Sequence, residues 1–197
     1  MIALPYDWHQ PPSGVWTLRD VERLPEGSRV EVIDGALTVN PSPLPIHQRI
    51  SRRLANAIER QLPPRWQVEI EIDVLLNLEP LDYVAPDVVV FGADVPLTTR
   101  PIPAEQFALV VEVVSPGSRR RDRGSKPLIY AHAGVPYYWR IEGEPVGAKG
   151  PTVHVFSEPG DDGYRDEQAY TGRLRTRSPF PIELDLDELE RSKDKRS

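Results

Sequence analysis

The sequence predicts a single α/β domain, and three observations carry that prediction. Residues 84–91 and 109–114 are apolar on both faces, as central strands covered from two sides are. Residues 46–62 repeat their apolar side chains at helical spacing. The length, 197 residues, is that of one ordinary domain, enough to bury a core without staples.

The elements follow in order. Residues 1–28 are rich in Pro, Gly and polar side chains and read as an irregular arm with one helical turn near 17–24. Residues 29–33 and 36–39 flank Asp34-Gly35, a strong hairpin signal because such a turn needs two left-handed residues. Asn40-Pro41-Ser42-Pro43 breaks the ladder. In the 46–62 helix, Ile46, Ile50, Leu54, Ala57, Ile58 and Leu62 share one arc, and Pro63-Pro64 stops it. His47 falls within that arc and is expected to face the sheet. Residues 68–78 alternate and read as one half-exposed strand. After the two apolar runs, Ser115-Pro116-Gly117 ends the second, and a helix is expected over 125–133, with Gly134 as its cap. Residues 137–141 form a further strand, 152–156 and 164–170 a hairpin, and 184–190 a short strand or turn. The expected organisation is an arm (1–28), one domain (29–190) and a polar tail (191–197).

Composition narrows the chemistry. The absence of cysteine removes disulfides, thiolate metal sites and cysteine nucleophiles, and agrees with a cytoplasmic location. No apolar run approaches the roughly 18–20 residues that cross a bilayer, and the first residues do not read as a signal peptide. A net charge of −6, from 24 Lys+Arg against 30 Asp+Glu, weighs against bulk affinity for nucleic acid. It leaves room for an acidic centre offset by local arginines and a cation.

Each apolar run is interrupted by one acid, Asp87 in the first and Glu112 in the second. An unpaired buried carboxylate costs several kcal/mol or takes up a proton. Two of them on neighbouring strands repel unless something positive lies between. A hard divalent cation such as Mg²⁺ meets that need through carboxylate and carbonyl oxygens. The plainer alternative is that each acid pairs with an arginine or meets water at a strand end.

Pro86-Asp87, followed on a second apolar strand by Glu112-Val113-Val114-Ser115-Pro116, resembles the PD-(D/E)xK signature of restriction-endonuclease-like folds. More narrowly, an ordered set of segments is similar to the Uma-two family of endonucleases. They are Val30-Glu31-Val32-Ile33-Asp34-Gly35, Pro41-Ser42-Pro43 with His47, Pro86-Asp87-Val88-Val89-Val90 and Val111 to Pro116. Arg121-Asp122-Arg123-Gly124-Ser125-Lys126 and Tyr130-Ala131 through Gly134-Val135-Pro136-Tyr137-Tyr138-Trp139 complete the set. The resemblance implies a mixed central sheet flanked by helices and Mg²⁺- or Mn²⁺-dependent cleavage of a nucleic-acid phosphodiester, most simply in DNA. By analogy it also implies a homodimer. Carried over, Asp87 and Glu112 would ligate the metal with the Val113 carbonyl. One position departs: Val114 stands where the motif's lysine belongs, and Lys126 on the next helix is the matching substitute, although it precedes Pro127.

Further candidates are weighed against plainer roles. Glu31 resembles an accessory acid, or is simply the solvent-facing residue of a hairpin strand. His47 would hydrogen-bond Glu31 or a metal-bound water, or is a satisfied core histidine. Arg119, Arg120, Arg121 and Arg123 would meet a phosphate backbone, or form a solvated loop. Tyr130 and Trp139 read as packing residues. Two functions follow: a metal-dependent endonuclease using Asp87, Glu112 and Lys126, or a nuclease-fold interaction module without activity. Lys126 discriminates them, since a lysine pointing away from the acids favours the second. A paired-carboxylate glycosidase would need sugar-stacking aromatics, and none lies beside these acids.

Overall fold

The computed structural model describes residues 11, 14–115, 117–143 and 150–191. Most of the expected arm before residue 14, and the tail from residue 192, lie outside the described residues.

The Asp34-Gly35 signal forms its turn: both residues are left-handed, with φ of 51° and 68°, between β1 (Val30–Ile33) and β2 (Ala36–Val39). A single turn, α1 (Leu18–Val21), precedes them and packs Val21 with Trp16 against β1. Helix α2 (Pro45–Glu59) starts with proline in its first turn, where a missing N–H costs nothing. It buries Ile50, Leu54 and Ile58 as the arc predicts, together with Ala55, while Ile46 at its start is exposed and the helix ends three residues before Leu62.

Residues 68–78 do not form one strand. They divide into β3 (Trp66–Glu69) and β4 (Val74–Leu78), and Glu71 between them turns left-handed at φ 51°. Ile70 packs in one core and Ile72 in another, so unbroken alternation masks a crossing between two layers. The run at 84–91 divides likewise. β5 (Leu81–Val84) ends at Ala85-Pro86-Asp87, where Pro86 can donate no ladder bond, and β6 (Val88–Gly92) begins beyond it.

The result is the expected mixed central sheet with a second, smaller sheet beside it. The larger, mixed sheet runs β11-β10-β9-β8-β6-β3, with β8 (Phe107–Val114) parallel to β9 (Tyr137–Glu142) and the rest antiparallel. β10 (Thr152–Gly160) and β11 (Gly163–Tyr170) are the expected late hairpin. The smaller sheet runs β2-β1-β5-β4-β7, where β7 (Ile102–Pro103) lies parallel to β4 and leads into a short 3-10 turn. A third pair, β12 (Arg173–Thr176) with β13 (Ile182–Asp185), and α5 (Asp187–Glu190) close the chain.

Helix α2 and the β12–β13 pair cover one face of the large sheet through Val88, Val111, Val113, Trp139, Leu174 and Leu184. The other face holds Val89, Val110, Tyr138 and Phe156 and meets α4 (Ser125–His132) and part of the small sheet. α4 follows α3 (Arg119–Arg123) across Gly124, where a Cβ would stand 2.7 Å from the Arg120 carbonyl oxygen, so only glycine permits the tight junction. The two crossings, at 70–73 and 85–87, lie where the sheets part, and a cavity of about 870 Å³ opens between them.

Candidate active site

β6 and β8 pair Val88 with Val111 and Val89 with Val110. Extending that register one step places Asp87 opposite Glu112, so the sequence's two interrupting acids are cross-strand neighbours. The Asp87 carboxylate Oδ2 accepts the Val113 N–H at 2.7 Å. His47, from the first turn of α2, lies with Nε2 3.2 Å from the same oxygen. Burial pulls the imidazole's proton affinity down, but the Asp87 hydrogen bond and charge, with the Val113 carbonyl, outweigh it and leave the pKa raised. His47 thus meets Asp87 and Val113, not the Glu31 that the sequence suggests.

Lys126 turns inward. Its ammonium donates to Glu112 Oε1 at 2.8 Å and to Glu31 Oε1 at 2.9 Å, with Asp122 Oδ1 at 3.7 Å. Pro127 is accommodated because it falls in the first turn of α4, where N–H groups have no helical partner. All four residues are buried, at 3 % exposure or less. Glu31 is therefore not the solvent-facing hairpin residue that alternation allows. Its Oε1 also accepts the Ala85 N–H at 3.3 Å, and its Oε2 is buried with no hydrogen-bond partner among the described residues.

These surroundings separate the acids. Burial drives the Glu112 pKa well above the usual carboxylate range; Lys126 counters this, while Asp87, Asp122 and Glu31 add to it. Glu31 is also penalised by burial, but the charge and hydrogen bond of Lys126 win and hold it below that range. Burial would deprotonate Lys126, yet Glu112, Glu31 and Asp122 hold its proton more firmly than usual.

Two residues of this cluster escape the sequence reading. Tyr130, in sequence a packing residue, donates its hydroxyl to Glu112 Oε1 at 2.6 Å. Asp122, which stands in sequence among the arginines of 119–123, is buried beside Lys126. The signal available for Tyr130 is spacing: 126 and 130 are four apart, which brings them to one side of consecutive turns of α4.

The cavity wall carries Asp87, Glu112, Glu31, His47 and Lys126 together, and also Arg121, which donates to Asn40 Oδ1 at 2.8 Å. Arg123 instead holds Glu142 on β9 through two hydrogen bonds. Arg119 and Arg120 are exposed. Leu44 and Leu97 form exposed apolar parts of the cavity's edge.

The donor set suits a hard cation. Asp87 and Glu112 supply oxygens, and both the burial and the like charges that raise Glu112 are relieved by a positive ion. Among the described residues no three His, Asp or Glu side chains are grouped to enclose a metal. Mg²⁺ does not need such a cage, because it commonly keeps several waters and takes one or two carboxylates.

A family model described as "Uma2: Putative restriction endonuclease" matches residues 18–188. The chain belongs to the Uma2 family. No curated protein matches it. Among solved structures, it is similar to "a putative nuclease belonging to DUF820 from Anabaena variabilis ATCC 29413", with a TM-score of 0.66 and 19% identity. That match covers 88% of this chain and 97% of the other. The Uma2 chain therefore has a nuclease-like α/β fold, with a mixed sheet at its centre. None of its helices, among the described residues, is long and apolar enough to cross a membrane.

Proposed function

We propose that this Uma2 chain is a Mg²⁺- or Mn²⁺-dependent endonuclease that hydrolyses phosphodiester bonds, with DNA as its substrate and the cytoplasm as its place of work. The observation that carries the reading is the inward Lys126, its ammonium bonded to Glu112 and Glu31 at the cavity while Asp87 stands across the β6–β8 register. A lysine turned away from the acids would instead favour an interaction module with a vestigial site.

Asp87 and Glu112 would hold the cation, with the Val113 carbonyl that His47 now engages. When bound, a cation there supplies charge stabilisation at the phosphate and a more acidic water. The protein's own groups do the rest. Lys126, locked by two carboxylates, fixes a positive charge beside the reacting phosphate in the place of the lysine missing at Val114. Glu31 keeps that ammonium protonated and aimed. His47 orients Asp87 through Nε2. Arg121 on the cavity wall, with Arg119 and Arg120 exposed on α3, would meet the phosphate backbone, and Arg123 secures α3 to β9.

The test is calorimetric titration of Mn²⁺ and Mg²⁺ into the wild type and Asp87→Ala, with plasmid cleavage on the same samples. Binding and nicking by the wild type, both lost in the variant, are expected. A wild type that binds cation but cuts no DNA or RNA would favour the vestigial site. Identical behaviour of the two proteins, with no binding, would sink the carboxylate-pair reading.

A further inference from the structure

Tyr130 lies four residues beyond Lys126 on α4, completely buried. Its ring stacks on Tyr138 with centroids 5.2 Å apart and planes 29° from parallel. Tyr138 is itself packed against Phe156 and Tyr164, at 5.4 and 6.2 Å. The column fixes the Tyr130 ring, and hence the direction from which its hydroxyl approaches β8. That hydroxyl meets Glu112 Oε1 at 2.6 Å, the oxygen that also accepts Lys126 at 2.8 Å. Neither donor touches Oε2, although Glu112 lines the cavity.

Two donors on one oxygen do more than satisfy it. They approach from different residues of α4, so together they restrict rotation of the carboxylate about its terminal bond. A lone lysine, with three rotatable protons on a flexible stem, would leave that rotation free. The other tyrosine of the stack, Tyr138, spends its hydroxyl on the Asp122 carbonyl at 3.1 Å and does not approach Glu112. The two hydroxyls share one aromatic column but serve different acceptors.

We propose that Tyr130 is a positioning residue whose hydroxyl, with the Lys126 ammonium, pins Glu112 Oε1 and so presents Oε2 to a divalent cation. This rests on the metal reading above. Outer partners of ligating carboxylates typically contribute about 10–100-fold to metal affinity or activity, and Tyr130 is assigned a contribution of that size.

The experiment is Mn²⁺ titration calorimetry on the wild type, Tyr130→Phe, Tyr138→Phe and Asp87→Ala, with thermal unfolding of each. Tyr130→Phe keeps the ring and its stack and removes one oxygen. It should bind Mn²⁺ about 10–100-fold more weakly while Tyr138→Phe retains wild-type affinity. A purely structural hydroxyl predicts that the two variants lose stability and leave affinity alike. If Tyr130→Phe binds as the wild type does while Asp87→Ala has lost the ion, the positioning role is overturned and the metal site stands. A wild type that takes up no Mn²⁺ refutes both. Should Tyr130→Phe fail to fold, the ultraviolet difference spectrum of the wild type on Mg²⁺ addition decides. A shifted tyrosine band is expected, because the phenol's acceptor changes charge environment, and an unshifted band overturns the proposal.

Discussion

Replacing Lys126 with methionine keeps most of the length of the side chain and removes its charge. In the wild type that charge faces two carboxylate oxygens within 2.9 Å and a third at 3.7 Å. With the ammonium gone, Glu31, Glu112 and Asp122 remain in a region almost closed to water. Breaking a buried ion pair by deleting one partner costs about 3–5 kcal/mol, because the surviving charge is left uncompensated. Three acids share the loss, but Glu112 already favours its protonated form, so the cost should not multiply with their number. A domain of this size moves by roughly 2–4 °C per kcal/mol, so Lys126→Met should melt about 6–20 °C below the wild type. The decisive assay is a double-mutant cycle by urea unfolding, adding Glu112→Gln to both backgrounds. Glu112→Gln should hurt the wild type, where it weakens a bond to Lys126. In the Lys126→Met protein it removes an uncompensated acid and should restore part of the stability. A coupling of roughly 0.5–3 kcal/mol is the expected size for groups that touch. Strict additivity, or a Lys126→Met protein as stable as the wild type, would refute the account of the buried cluster.

Two further outcomes follow. The Arg123 hydrogen bond, with the charges of Arg140, Arg123 and His154, overcomes the burial penalty and holds Glu142 below its reference value of 4.5. A depressed carboxylate contributes stability that is fully present above the unfolded value and is lost as pH falls through the folded one. Arg123→Gln should therefore flatten the acid limb of a urea-midpoint curve below about pH 4.5, by less than about 1 kcal/mol because the pair is partly solvated; an unchanged limb would show that Arg123 does not hold Glu142. Arg119→Ala with Arg120→Ala should weaken DNA binding and flatten its dependence on salt, by about 0.9 in the logarithmic slope for each phosphate no longer neutralised. Mn²⁺ titration should not change, and an unchanged salt slope would remove these arginines from the nucleic-acid face.

The parts of this molecule most legible in sequence are those where local pattern and tertiary role coincide. The arc of α2 is buried at Ile50, Leu54 and Ile58, Asp34-Gly35 turns as its chemistry demands, and an acid within each apolar run lines the cavity. Legibility fails where the chain changes layer without changing pattern. Alternation runs on from Val68 to Val74 through Glu71, although the backbone reverses handedness there and the two halves join different sheets. The strand β12, Arg173–Thr176, is invisible to pattern because only Leu174 is buried and its neighbours are charged or polar. Glu31 is ambiguous for a related reason: strand alternation assigns a side of the hairpin, but not whether another layer covers that side. Tyr130 misleads because an aromatic residue on a helix is most economically explained by packing. Its hydroxyl becomes informative only once Glu112 stands in front of it.

The Lys126–Glu31 bond joins residues 95 positions apart and ties β1 of the smaller sheet to α4. Neither sheet alone possesses the cluster: the smaller contributes Glu31, the larger Glu112, and the helices His47, Asp122, Lys126 and Tyr130. A chain that has made its hairpins but has not docked its layers holds only scattered acids and a solvated lysine. For a protein proposed to cut DNA, the fixed ammonium is therefore a product of docking and of no single sheet.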